Sequence, residues 1–179
     1  MRNRVILTIA LAVSTWLQGG AKTGPGIAVK PARAEPGVVS EPLAIVVNHS
    51  NPVDDLSLAE LRTIFLGERS HWTNGRRITL VMREPGDLER KVIVHDVCGM
   101  TEDQLKIHVL HGLFTGEILV SPKILTSPAG VRKFVFNVPG AIGYLRLRDV
   151  DASVKVIFIE KLQPGDRDYK LRVPVQAGN

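Results

Sequence analysis

The sequence predicts a layered α/β domain, and three observations carry that reading. Short runs of continuous apolar residues, such as "LAIVV" and "GAIGYL", are bounded by turn residues and have the length of strands buried on both faces. Between them lie longer segments whose apolar residues recur at helical spacing, two of them opened by a capping box. A mixture of helices among short buried strands along 179 residues gives one domain with a full core.

The elements follow in order. After a Pro- and Gly-dotted segment over residues 24–42, "LAIVVN" at 43–48 reads as the first strand. Ser57 with Glu60 forms a capping box, and Leu58, Leu61, Ile64 and Phe65 stripe a helix over 57–66 with Gly67 as its left-handed stop. Asn74-Gly75 marks a turn feeding a strand over 78–82, which leaves Arg83 at its exit. "DLERKVIVHDVCG" reads as a helix over 87–97, although Val92, Ile93 and Val94 would also suit a strand. Thr101 with Gln104 opens another helix, striped by Leu105, Val109 and Leu113 as far as Gly116. Ser127 as N-cap and Pro128 at the first helical position start the next, whose stripe of Val131, Phe134 and Val138 ends at Pro139. "GAIGYL" at 140–145 and "KVIFIE" at 155–160 read as strands, and 162–179 as an extended tail. There is no internal repeat and no low-complexity run.

The formal net charge of +5 belongs to the N-terminal segment: residues 1–34 hold Arg2, Arg4, Lys22, Lys30 and Arg33 and no acid, leaving 18 basic against 18 acidic residues. A neutral remainder carries no electrostatic footprint for nucleic acid. Arg2 and Arg4 precede an apolar run of about thirteen residues over 5–17, short for a membrane span and suited to an export signal. Cleavage after Ala21, close to the run, competes with cleavage after Ala34, where "ARA" has the better small-residue pattern; an uncleaved anchor is the alternative. Periplasmic residence without membrane insertion follows from cleavage. Cys98 is the sole cysteine, which leaves no internal disulfide, and its neighbours Val94, Val97 and Met100 mark it as a buried small hydrophobe rather than a nucleophile.

An open α/β sheet binds small ligands outside the carboxyl ends of its strands. Two loops answer to that. "NHSNP" at 48–52 leaves the first strand with Asn48, His49 and Ser50 as hydrogen-bonding side chains. "REPGD" at 83–87 leaves the next strand and enters a helix, so the Arg83 guanidinium and the N–H groups around Gly86 could converge on an oxyanion; the competing reading is a salt bridge from Arg83 to Glu84, Asp87 or Glu89. His108 and His111, with His95, lack the spacing of a metal site, and neither the G-x-S-x-G elbow nor the P-loop is present, so no catalytic residue, metal or cofactor is expected. Arg62, Arg69, Arg76 and Arg77 around Trp72 read as a solvated surface rather than a base-stacking platform.

"AIVVN", then "SLAELRTIFLGERSHWTNGRRITLVMR", and later "NVPGAIGYL" together resemble the phosphate-binding proteins of ABC transporters, of the type 2 periplasmic-binding-protein superfamily, and more closely the short single-lobe PstS-like proteins. The likeness covers residues 43–147, with the motifs in the family's order. It implies a three-layer αβα lobe with a mixed sheet over 35–179, behind a signal peptide and N-terminal segment over 1–34. It also implies an exported phosphate-binding-like protein, with a small anion such as phosphate as ligand. Two departures stand against full activity. Phosphate-binding members carry Arg-x-Asp-x-Ser-Gly-Thr after this strand; Arg83 and Gly86 match, while Pro85, Asp87, Leu88 and Glu89 replace the Asp, Ser, Gly and Thr. The first lobe of full-length members has no room before the "VVN" strand. The alternative function is a periplasmic interaction module that keeps the fold, has lost the ligand and acts on a protein partner.

Overall fold

The computed structural model describes residues 39–175. The expected signal segment, its cleavage positions and residues 24–38 lie outside the described residues. The chain forms β1 (Ser40–Val47), β2 (Asp55–Leu56), α1 (Leu58–Phe65), β3 (Thr79–Arg83), α2 (Leu88–Val92), α3 (Glu102–Thr115), β4 (Lys123–Leu125), α4 (Pro128–Asn137), β5 (Ala141–Arg146), β6 (Lys155–Val156), β7 (Phe158–Ile159) and β8 (Arg172–Pro174).

The main sheet runs β4-β3-β5-β1-β6, with β8 paired to the start of β1. β3 is parallel to β4 and β5, whereas β1 is antiparallel to β5, β6 and β8. Alternate residues of β1 face opposite ways. Leu43, Ile45 and Val47 join a core with Leu61, Ile64 and Phe65 of α1 and Leu105 of α3, while Ala44 and Val46 join a second core with Val131 and Val135 of α4. Burial on both faces explains the unbroken apolar run, and the result is the expected three-layer αβα arrangement with a mixed sheet.

Both capping boxes form, Ser57 with Glu60 and Thr101 with Gln104. Gly67 and Gly116 end their helices at φ +78° and +80°, a region that costs a residue without Cβ little. The Trp72 side chain is buried, and its Nε1 donates to Gly140 O at 3.0 Å; Thr79 N donates to the same oxygen at 3.0 Å. The tryptophan turn thereby clamps the start of β3 to the start of β5. The 87–97 segment is helical, as α2 continued by a π-turn over Ile93–Val97, in which Cys98 N donates to Ile93 O at 2.9 Å. The extra residue per turn lets Ile93, Val94 and Val97 all be buried, which is why a strand-like triplet sits in a helix. Cys98 is buried.

Three expectations are corrected. Residues 162–179 are not simply an extended tail: Tyr169, Leu171 and Val173 are buried, Tyr169 donates its hydroxyl to Leu43 O at 2.8 Å, and β8 pairs with β1. "KVIFIE" is not one strand, because β6 joins the main sheet while β7 pairs with β2, with positive φ at Glu160 and Lys161 ending the segment. The stripe of α3 is buried only in part, Leu105 fully while Leu113 remains 37 % exposed.

Candidate functional site

Arg83 closes β3 and is only 9 % exposed. Its backbone N–H donates to the Tyr144 hydroxyl at 2.9 Å, which fixes the strand exit against β5. Asp87 stands at the N-cap of α2, yet its side chain caps nothing. It turns back instead, so that Arg83 Nε and Nη2 both lie 2.8 Å from Asp87 Oδ2. Arg83 Nη1 is buried without a hydrogen-bond partner among the described residues. Gly86, exposed at φ +101°, makes the turn between the two. Of the three carboxylates weighed as partners, Asp87 takes Arg83, Glu89 takes another arginine, and Glu84 is exposed.

Further charges surround this exit. Arg90 Nη1 donates to Arg83 O at 2.8 Å while its Nε and Nη2 grip Glu102 bidentately at 2.7 and 3.0 Å. Arg146, at the end of β5, donates to Glu89 at 2.5 Å and to Glu41 at 3.3 Å, and Arg148 shares Glu41 at 3.2 Å. Burial pushes the Glu89 carboxyl up, but its hydrogen bond and charge pairing with Arg146 outweigh that and hold it below the usual glutamate value. Burial pushes the Tyr144 hydroxyl upward, so it is a neutral hydrogen-bonding group at every physiological pH. Arg90, Arg146 and Tyr144 were not singled out from the sequence; the strand-exit rule that found Arg83, applied to the end of "GAIGYLR", would have found Arg146.

Asn48, His49 and Ser50 do not join this site. β1 runs antiparallel to β5, so its exit lies where β3 and β5 begin. Extending the register places Arg83 level with Ala44, so roughly four residues of strand, about 13 Å, separate it from Asn48 along the strand axis. The two loops therefore leave opposite ends of the strands, and a ligand site that includes Asn48, His49 and Ser50 together with Arg83 and Gly86 is corrected. Asn48 instead braces the fold. Its Nδ2 donates to Val135 O at 2.9 Å and Phe136 O at 2.6 Å at the end of α4, and its Oδ1 accepts from Ser50 N and Oγ. His49 bonds Ala152 O at 2.9 Å, and Ser50 Oγ accepts from Arg76 at 3.0 Å.

The other groupings also disperse. His108 bonds Leu66 O at 2.9 Å and His95 is paired with Asp96, and no cluster of three metal-ligating side chains occurs among the described residues. Arg62 turns inward to Cys98 O, and buried Trp72 offers no stacking face. No helix of the described residues is long and apolar enough to cross a membrane.

No family model matches the chain. Among solved structures it is similar to an ABC-type phosphate transport receptor from Vibrio cholerae, at 24 % identity and a TM-score of 0.62 over 76 % of this chain and 55 % of that one. A putative phosphate ABC transporter substrate-binding protein from Clostridium perfringens, with bound phosphate, matches at 22 % identity and a TM-score of 0.63 over 76 % and 54 %. PstS from Borrelia burgdorferi matches at 12 % and 0.60 over 75 % and 55 %. The chain spans about half the length of these structures. Over that half, it has the fold of the phosphate ABC transporter substrate-binding proteins.

Proposed function

We propose that the chain is an exported, phosphate-binding-like protein that takes a small oxyanion at the exit of β3, with Arg83 as the cation that holds it. The observation that carries this reading is the state of that guanidinium: nearly buried at a strand exit, with one carboxylate oxygen bridging Nε and Nη2 and Nη1 left without a partner among the described residues. A carboxylate oxygen in the fork of a guanidinium makes the contacts an oxyanion oxygen would make. Asp87 thus stands in for the ligand and competes with it. The fold shared with phosphate receptors supports the choice of anion.

Residues 1–34 then serve as signal peptide and N-terminal segment, and 35–179 as the periplasmic domain, which works as a binding protein without metal or cofactor. A site already occupied by its own carboxylate holds phosphate in the millimolar range, a dissociation constant of about 1 mM corresponding to about 4 kcal/mol. Equilibrium dialysis of the exported chain against labelled phosphate should show weak binding that Arg83→Ala abolishes while the far-ultraviolet circular dichroism stays unchanged. Binding indifferent to Arg83, or none far above the millimolar range, would leave the second reading, an interaction module whose arginines are permanently neutralised by Asp87 and Glu89.

A further inference from the structure

The helix α3 is apolar on more sides than the fold covers. Leu105 and Gly112 face inward and are buried, and Val109 and Leu113 border a groove of about 500 Å³ lined also by Met82, Pro122 and Ile124, with Arg90, Glu102, Asp103 and Lys106 among its other walls. On the outer side Ile107 and Leu110 are each 66 % exposed and Phe114 is 91 % exposed. A helix apolar on its outer as well as its inner side is expected to be covered on both. Ile107, Leu110 and Phe114 fall at intervals of three and four, the spacing of a helix-pairing seam.

We propose that this face is covered by a second copy of the chain, in a two-fold dimer whose α3 helices pair antiparallel. The surface area selects this occupant. With Leu113, Leu119, Val120 and Ile124, the outer stripe leaves roughly 700–800 Å² of apolar surface to solvent, the share that one partner contributes to a standard stable interface. The patch also contains both halves of a self-complementary contact: a protruding aromatic ring and, beside it, an open groove whose walls are largely apolar. A two-fold axis across a helix turns the second helix antiparallel. With the axis at the middle of the stripe, Ile107 of one copy meets Phe114 of the other, and that ring reaches the groove edge at Leu110. The groove borders the surroundings of the anion site through Met82, Pro85 and Arg90, but Arg83 and Asp87 do not line it, and neither Phe114 nor Leu110 touches that ion pair.

Sedimentation velocity on the exported chain should show a dimer at about 10 µM, and Phe114→Glu should weaken association on the order of a thousandfold, because symmetry removes the anchor twice. Phe114 is almost fully exposed, so the variant should fold normally and melt at a temperature independent of protein concentration, unlike the parent. Leu110→Cys places a thiol beside the axis and should cross-link to itself under mild oxidation, faster than a thiol placed at Lys133. Buried Cys98 does not interfere. A parent chain that stays monomeric to about 100 µM overturns the proposal, as does Leu110→Cys cross-linking no faster than the Lys133 control. Monomers that bind phosphatidylcholine vesicles through Phe114 would equally overturn it, in favour of a lipid surface.

Discussion

Asp87→Asn separates a decorative ion pair from one that guards an anion position. In the folded chain Asp87 Oδ2 is 2.8 Å from both Nε and Nη2 of Arg83, with the arginine side chain 11 % and the aspartate 31 % exposed. A fully exposed pair contributes at most about 1 kcal/mol and breaking a buried one costs about 3–5 kcal/mol. This intermediate geometry therefore supports about 2 kcal/mol, since asparagine keeps an oxygen that can accept from Nε but loses the charge. Ligand-free Asp87→Asn should melt about 6 °C lower. The same 2 kcal/mol is what an incoming oxyanion spends to displace Asp87, so phosphate should bind the variant about thirtyfold more tightly. Thermal unfolding across a phosphate series reads both numbers: the variant starts below the parent and gains more at each phosphate concentration, with its rise beginning about thirtyfold lower. A variant that melts lower yet gains no more than the parent would show that the carboxylate does not occupy the anion position. An unchanged melting temperature would show that the pair contributes nothing.

Three further outcomes follow from the packing. At Gly140 an added Cβ would sit 2.1 Å from the backbone oxygen of Arg77, where both chains are held by β3–β5 pairing, so Gly140→Ala should cost about 3 kcal/mol or more in urea denaturation followed by Trp72 fluorescence. Glu89 is held below its usual 4.5, so its contribution is fully present above that value and disappears as pH falls through the lower folded value; Glu89→Gln should flatten the loss of stability below about pH 4.5. Burial pushes the Cys98 thiol up to about 11, so a disulfide reagent at pH 8 should label it only as fast as the chain unfolds.

Much of the local structure was legible because its causes are local. Ser57 and Glu60, Thr101 and Gln104, and the glycines at 67 and 116 act within one helical turn, and each does what its neighbours dictate. The strand over 43–47 was legible because two-sided burial leaves a continuous apolar run. What was not legible depends on pairing. The direction of β1 is set by β5, roughly a hundred residues away, and no local pattern records it; this is why Asn48 and Arg83 could not be assigned to opposite ends of the strands. The alternation of Tyr169, Leu171 and Val173 was present in the sequence, but nearby Pro164 and Gly165 drew the reading toward a loop. The choice of Asp87 over Glu84 by Arg83 rests on the turn at Gly86, which periodicity does not describe.

The place of β1 in the sheet also orders events in time. Leu43 waits for Arg146, and Ser40 for Pro174, so this strand meets its neighbours only after more than a hundred further residues have been made. β1 stays unpaired through that interval, and contacts so distant in sequence close slowly. A strand that waits this long is the part of the fold most open to mispairing before its partners arrive.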